Sequence, residues 1–242
     1  MIVRFLLVII LNLHVAPMLL SRMRYMIKHR DSIPLEERYK FGRFVMKVLM
    51  RPGKIKTIST GTENLPKEDG YVMFPNHQGK YDIIGIMLTH ERPCTYVMDK
   101  DRSYFIMIRE ILDMLGGKRM KLNDVRQNLQ VINEMAEEVA SGTTYIIFSE
   151  GGYNQINGNK VHDFKPGSFK AATKVKAPIV PVCLIDSYVP FNSYYIKPCT
   201  TQVHYLEPIY YEEYKDLKGP ELSDMVRSRI MDKMRELGIN PE

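Results

Sequence analysis

The chain has 242 residues, 45% hydrophobic and 26% charged, which is ordinary globular composition and enough for one sizeable core. A formal charge of +6 suits work against something anionic, and the cations lie beside apolar segments instead of forming one nucleic-acid module, so the expected partner is a phospholipid surface and not nucleic acid. Three cysteines, Cys94, Cys183 and Cys199, show no Cys-x-x-Cys spacing, which excludes a disulfide framework and fits reduced core thiols in a cytosol-facing protein.

Ile2 to Leu20 is almost wholly apolar, interrupted by Arg4, Asn12, His14 and Pro17. A spanning helix needs about 20 apolar residues, so the run fits either a tilted span or a helix lying in the interface. A removable signal peptide is disfavoured, because Arg4 is the only cation near its start and no clear small-x-small cleavage site is present. The cationic run Ser21 to Arg30 keeps to the cytoplasmic side and attracts anionic headgroups, which places the body of the protein at the inner face of a cell membrane. Ser32 is positioned to cap a helix with Pro34 in its first turn. Phe41, Phe44, Val45, Val48 and Leu49 recur there at helical spacing opposite Lys40, Arg43 and Lys47, a face for the core or for the interface. Arg51-Pro-Gly53 ends it. Residues 1–52 therefore read as a membrane-associating helical segment ahead of one domain over 53–242.

From Lys54 onward, strand-like runs at Lys54–Thr60, Tyr71–Phe74, Thr95–Met98, Tyr145–Phe148, Ile179–Ile185 and Thr201–Tyr205 alternate with helical ones. The helices are expected over Ile83–Leu88, Ser103–Leu115, Asp124–Gly142, Phe169–Val175 and Glu221–Leu237. In the third, Asp124 and Gln127 have capping-box spacing and Val125, Leu129, Ile132, Met135 and Val139 share a face. Alternation of this kind implies an α/β single domain with a mostly parallel central sheet flanked by helices, where sites gather at the carboxyl ends of strands.

Two motifs fall at such ends. In the first, Pro75-Asn-His-Gln-Gly-Lys-Tyr-Asp82, His77 lies on a strand-to-helix loop and Asp82 in the first turn of the next helix, where a helix N-terminus keeps a carboxylate ionised. With Gly79 relaxing the loop, Asp82 can fold back and accept the proton of one ring nitrogen of His77, leaving the other as a base. No Gly-x-Ser-x-Gly elbow and no nearby cysteine supplies a nucleophile. Such a pair suits direct attack by a substrate hydroxyl on an activated electrophile, such as a thioester. The N–H groups of Gly79 and Lys80 are candidates to face the developing oxyanion. No tight ligand spacing joins His77, Asp82 and His90 into a metal site, and no metal or cofactor is expected. In the second motif, Phe148-Ser-Glu-Gly-Gly152, Glu150 follows a buried strand, and Gly151 and Gly152 allow a backbone to approach a ligand or form an anion nest.

Together the motifs resemble those of the glycerolipid acyltransferases. Asn76-His77-x-x-x-x-Asp82 is similar to that family's first block, Phe148-x-Glu150-Gly151 to its third and Ile179-Val-Pro181-Val to its fourth, with Phe164-Lys165-Pro-Gly167 between the last two. The resemblance runs from about Lys54 to Ile209. It implies transfer of a fatty acyl group from acyl-CoA or acyl-carrier protein to the hydroxyl of a lysophospholipid such as 1-acyl-glycerol-3-phosphate, with His77 and Asp82 catalytic and Asn76, Gly79, Lys80, Glu150, Gly151 and Gly152 at the substrate. Two departures stand out. The family has arginines, read as clamps on the acceptor's phosphate, where this chain has Leu122 and Tyr153. Lys118, Arg119 or Lys121 could supply that charge instead. The departures leave open a different lyso-lipid acceptor or a catalytically silent lipid-binding relative.

Overall fold

The computed structural model describes residues 3–121, 124–153, 158–192 and 197–242. Three helices lead: α1 (Val3–Asn12), α2 (Ala16–Lys28) and α3 (Leu35–Met50). Strand β1 (Ile55–Thr60) follows, then β2 (Val72–Pro75), α4 (Asp82–Thr89), β3 (Thr95–Asp99), α5 (Ile108–Leu115), β4 (Lys118–Met120) and α6 (Val125–Ala140). The chain continues through β5 (Tyr145–Ile146), α7 (Lys170–Thr173), β6 (Ile179–Ile185), α8 (Val189–Asn192), β7 (Cys199–Tyr205), α9 (Tyr211–Tyr214) and α10 (Gly219–Glu236).

The strands form one sheet in the order β1-β7-β6-β2-β5-β3-β4. Pairing is parallel throughout except between β6 and β7. All seven residues of β6 are buried, as a strand covered on both faces must be. Its side chains alternate: Val180, Val182 and Leu184 pack with the helices α2 to α5, while Ile179, Cys183 and Ile185 pack with α6 and α10.

The run expected as one apolar helix breaks between Asn12 and Ala16, where α1 and α2 meet at 80°; among the described residues no single helix is long and apolar enough to cross a membrane. Ile2, at the start of that run, lies outside the described residues, as does Leu122. Arg4, the charge interrupting the run, is buried and donates to the carbonyls of Pro190 and Lys197 and to Cys199 Sγ at 2.9 Å. It fastens α1 to the sheet domain.

Other boundaries shift for local reasons. Helix α3 starts after Pro34, which occupies the cap position expected of Ser32. The helix expected from Ser103 is split by Met107, whose backbone is left-handed at φ 71°, into a short 3₁₀ turn at Arg102–Tyr104 and α5. Asp124 caps α6 by accepting the Gln127 N–H at 3.0 Å, but Val125 and Leu129 stand exposed, and Val131, Ile132, Met135, Ala136 and Val139 form the packed face. The polar run after Gly116 contains β4, an edge strand that periodicity cannot signal because each of its residues is half-buried.

Candidate active site

β2 and β5 are neighbours running in the same direction, so the loops leaving their carboxyl ends meet. His77 is on the first and Glu150 on the second. The His77 backbone N–H donates to Glu150 Oε1 at 2.8 Å, and Glu150 Oε2 accepts the His162 N–H at 3.3 Å. Burial pushes the Glu150 carboxyl up to about 8, with the two N–H donors opposing the rise and the nearby Asp82 charge adding to it.

The His77 imidazole and the Asp82 carboxylate are in contact, Nδ1 to Oδ2 at 2.7 Å. An ionised carboxylate only accepts, so Nδ1 carries the hydrogen and Nε2 presents a lone pair. Asp82 Oδ2 also accepts the N–H groups of Gln78 at 2.6 Å and Gly79 at 2.9 Å, while Oδ1, equally buried, has no partner among the described residues. The donors holding the carboxylate thus come from the preceding loop, not from the helix that Asp82 opens. Gly79, expected as an oxyanion donor, has its N–H committed to Asp82. That leaves the Lys80 N–H, which makes no hydrogen bond among the described residues, for that role.

The imidazole is framed by two rings. Phe148 stacks on it at 4.2 Å between centroids and Tyr153 stands edge-on at 4.6 Å, yet the side chain keeps 17% of its surface exposed. The ring is therefore not sealed off from solvent.

Asn76, expected at the substrate, is wholly buried and uses both ends of its amide on Leu184: Nδ2 donates to the carbonyl at 3.1 Å and Oδ1 accepts the N–H at 2.7 Å. Gln78 donates to the same carbonyl and to Asn159, and accepts the Ser187 N–H at 2.8 Å. Both side chains pin the His77 loop to β6 and beyond, a role invisible in sequence because their partners are 81 to 109 positions away.

Gly151 is left-handed at φ 74°, and the place its Cβ would take is filled by the Lys165 side chain. Gly152 is left-handed as well, at φ 150°, with open space beside it. Lys118 and Arg119, expected to supply charge, are on β4, three strands from β2 and hence about 14 Å across the sheet. Lys118 pairs with Glu138 at 2.7 Å and Glu134 at 3.3 Å, and Arg119 with Asp113 at 2.7 Å. They are not brought to the site. His90 is not either: it sits past the far end of α4, buried, bonded to Tyr71 and to the Arg92 carbonyl. Cys94 and Cys183 are core residues whose thiols burial pushes up to about 12, so neither is a thiolate nucleophile.

Sequence reasoning missed Arg102. It precedes the break at Met107, and its guanidinium carbon lies 5.7 Å from the centre of the Tyr153 ring. Only the strand order, which sets β3 beside β5, brings the two together.

Comparison with known proteins places this arrangement. A 1-acyl-sn-glycerol-3-phosphate acyltransferase of Saccharomyces cerevisiae is 26% identical over 185 residues, covering 75% of this chain and 60% of its own. One from Borreliella burgdorferi is 23% identical over 203 residues, covering 81% of this chain and 79% of its own. The alpha form of Mus musculus is 25% identical over 182 residues, covering 73% and 63%. The chain thus spans about three fifths of the length of the yeast and mouse relatives. The crystal structure of the 1-acyl-sn-glycerophosphate (LPA) acyltransferase PlsC from Thermotoga maritima superposes with a TM-score of 0.71 at 23% identity, covering 97% of this chain and 93% of that one, and so shares its fold. The acyltransferase family model matches residues 56–185, from β1 to the last residue of β6. Because that match takes in more than half of the chain and both loops that meet at His77, the chain belongs to the acyltransferase family.

Proposed function

We propose that the protein transfers a fatty acyl group from a thioester donor, acyl-CoA or acyl-carrier protein, to the free hydroxyl of 1-acyl-glycerol-3-phosphate, forming phosphatidic acid for phospholipid synthesis. The observation that carries the reading is the His77 Nδ1 to Asp82 Oδ2 contact of 2.7 Å, made by an imidazole that keeps part of its surface exposed. The hydroxyl gives its proton to His77 Nε2 as its oxygen attacks the thioester carbonyl carbon. The tetrahedral oxyanion then collapses, the carbon–sulfur bond breaks, and the imidazolium returns its proton to the departing thiolate. Asp82 stabilises the imidazolium between the two events. General-base assistance is worth about a hundred- to ten-thousand-fold, and positioning and oxyanion donors supply the rest.

Membrane docking at the cytoplasmic face belongs to the same reading. On and after α1, Leu6, Ile10 and Leu13 are exposed at 48%, 61% and 61%, and Arg22, Lys28 and Arg30 follow as exposed cations. This helix adjoins the site: Lys80 Nζ lies 5.0 Å from the centre of the Phe5 ring, three residues from His77. Tyr153, beside His77 where the resemblance leads one to expect an arginine, favours a second reading in which the acceptor is a lyso-lipid with a different headgroup.

The test is an assay of the purified protein with acyl-CoA and a panel of lyso-lipids, repeated with His77→Ala. Transfer to lysophosphatidate that vanishes in the variant supports the reading, and near-wild-type transfer by the variant at saturating substrate removes it.

A further inference from the structure

Building on the reading of a glycerol-phosphate acceptor, we propose that Arg102 binds the acceptor's phosphate and is the residue that makes the enzyme prefer a phosphate-bearing acceptor.

Arg102 stands on a fixed base. β3 ends at Asp99, whose Oδ1 accepts the Arg102 N–H at 3.1 Å and so starts the turn. The next residue, Ser103, is buried, donating to the Lys100 carbonyl at 2.6 Å and accepting from Arg119 Nε at 2.8 Å. The side chain of Arg102 itself is exposed and rests against Tyr153, at a distance typical of a cation over an aromatic face. Tyr153 in turn stands edge-on to His77. Three neighbouring parallel strands, β2, β5 and β3, thus deliver from their carboxyl ends a base, an aromatic wall and a cation in that order.

The spacing fits the acceptor. The guanidinium carbon is at most about 10 Å from the imidazole centre, the two ring separations laid end to end. In a glycerol phosphate the adjacent hydroxyl oxygen and the phosphorus are four bonds apart, about 4–5 Å. Adding a hydrogen bond of about 2.8 Å at each end gives a span of about 10 Å, which reaches the greatest separation these contacts allow between base and cation.

Two of the other cations near these strands are engaged with carboxylates. Lys118 and Arg119 are spent on Glu138, Glu134 and Asp113, and the Lys165 chain lies across Gly151. The Arg102 guanidinium makes no ion pair among the described residues. Stacking on an aromatic ring limits the rotamers of a guanidinium while leaving its edge, with a fork of N–H donors, open to two phosphate oxygens.

The experiment compares two acceptors with the same acyl chain, lysophosphatidate and the phosphate-free monoacylglycerol, with acyl-CoA as donor, and reads the ratio of their kcat/KM values. Arg102→Ala is expected to lower that ratio about 10- to 100-fold, chiefly through KM for lysophosphatidate. Arg102→Lys, which keeps the charge but loses the fork, is expected to fall between. Lys100→Ala and Lys165→Ala are expected to change the ratio less than about threefold. If Arg102→Ala, with an unaltered melting temperature, leaves the ratio unchanged while wild type still acylates lysophosphatidate, the assignment is wrong and the acyltransfer reading stands. A drop with Lys165→Ala in place of Arg102→Ala overturns it in favour of the other cation. Should wild type acylate neither acceptor, the acyltransfer reading fails and takes the assignment with it.

Discussion

Glu150 holds His77 by its main chain: the His77 N–H donates to Glu150 Oε1 at 2.8 Å, while the other carboxyl oxygen receives His162 from the loop beyond. The second motif therefore fixes where the base stands, and Asp82 fixes how its ring is turned. Glu150→Ala frees both loops and is expected to lower kcat about 10- to 100-fold while leaving the shape of the pH–rate profile unchanged. Glu150→Gln keeps an oxygen for the His77 N–H and turns an amide group toward the His162 N–H, so its loss should be smaller than that of the alanine variant. Steady-state kinetics across pH 5–9 checks both, and a shifted profile in place of a lowered one would mean Glu150 acts on the ring.

The same carboxyl makes stability depend on pH. Burial raises Glu150 from 4.5 to about 8 in the folded protein, so between those values the folded state holds a proton that the unfolded chain has lost. Stability from this group is full below about pH 4.5, declines as pH rises, and levels off above about pH 8. Glu150→Gln cannot titrate. The melting temperature of the variant relative to wild type is expected to rise steadily from pH 5 to pH 8 and then flatten, and a difference that is constant with pH would refute the raised value.

How much of this was legible beforehand follows the range of each interaction. The His77–Asp82 pair spans five positions and rests on a loop whose start and stop residues are local, so the sequence carries it. The meeting of that loop with Glu150 needed only the inference that both follow neighbouring parallel strands. Asn76 was misassigned, and the structural part of Gln78 went unread, because Leu184 and Ser187, the groups that satisfy them, are brought near by strand order alone. Lys118 and Arg119 looked like free charge because Glu138 and Asp113 lie on flanking helices. Arg102 escaped for the converse reason, since nothing in its neighbourhood of sequence marks it and its partner ring comes from another loop. The break between α1 and α2 was hidden by composition, because an apolar run reads alike whether straight or bent.

Asp82 carries three hydrogen bonds on one oxygen, two of them from the backbone. In Asp82→Asn an amide oxygen can take that place, so the loop should stay folded, but the imidazolium loses its counter-charge. The expected result is a kcat about a hundred- to ten-thousand-fold lower with a melting temperature within a few degrees of wild type. Asp82→Ala strands the Gln78 and Gly79 donors in a buried place, and should cost about 2–4 kcal/mol of stability in addition. Urea unfolding of the two variants side by side separates orientation of the base from support of the loop.

Arg4 ties α1 to the Cys199 end of β7, with the Pro190 and Lys197 carbonyls completing its partners. Arg4→Met keeps most of the volume and removes the donors, leaving buried acceptors unpaired at about 1–3 kcal/mol. Cys199 is half-buried beneath the guanidinium, whereas Cys94 and Cys183 are buried in the core. Arg4→Met is therefore expected to speed labelling of Cys199 by a thiol reagent several-fold while the other two stay protected, which mass spectrometry of the labelled peptides reads directly.

The exposed face of α1 provides the last prediction. Ile10 and Leu13 lose almost nothing by substitution in the folded protein, because 61% of each is already in solvent, so glutamates there should leave the melting temperature within about 2 °C. On a bilayer the same residues would bury apolar area worth about 25 cal/mol per Å², and two glutamates would also repel anionic headgroups that Arg22, Lys28 and Arg30 attract. Ile10→Glu with Leu13→Glu is expected to weaken sedimentation with phosphatidylglycerol-containing vesicles at least tenfold, and to lower activity on vesicle-borne acceptor far more than on acceptor in detergent micelles. Because α1 touches the catalytic loop through Phe5 and Lys80 and not through its outer face, a variant that loses vesicle binding but keeps micellar turnover separates docking from chemistry. Equal loss in both assays would show instead that the outer face of α1 supports the site itself, and the membrane assignment of these residues would fall.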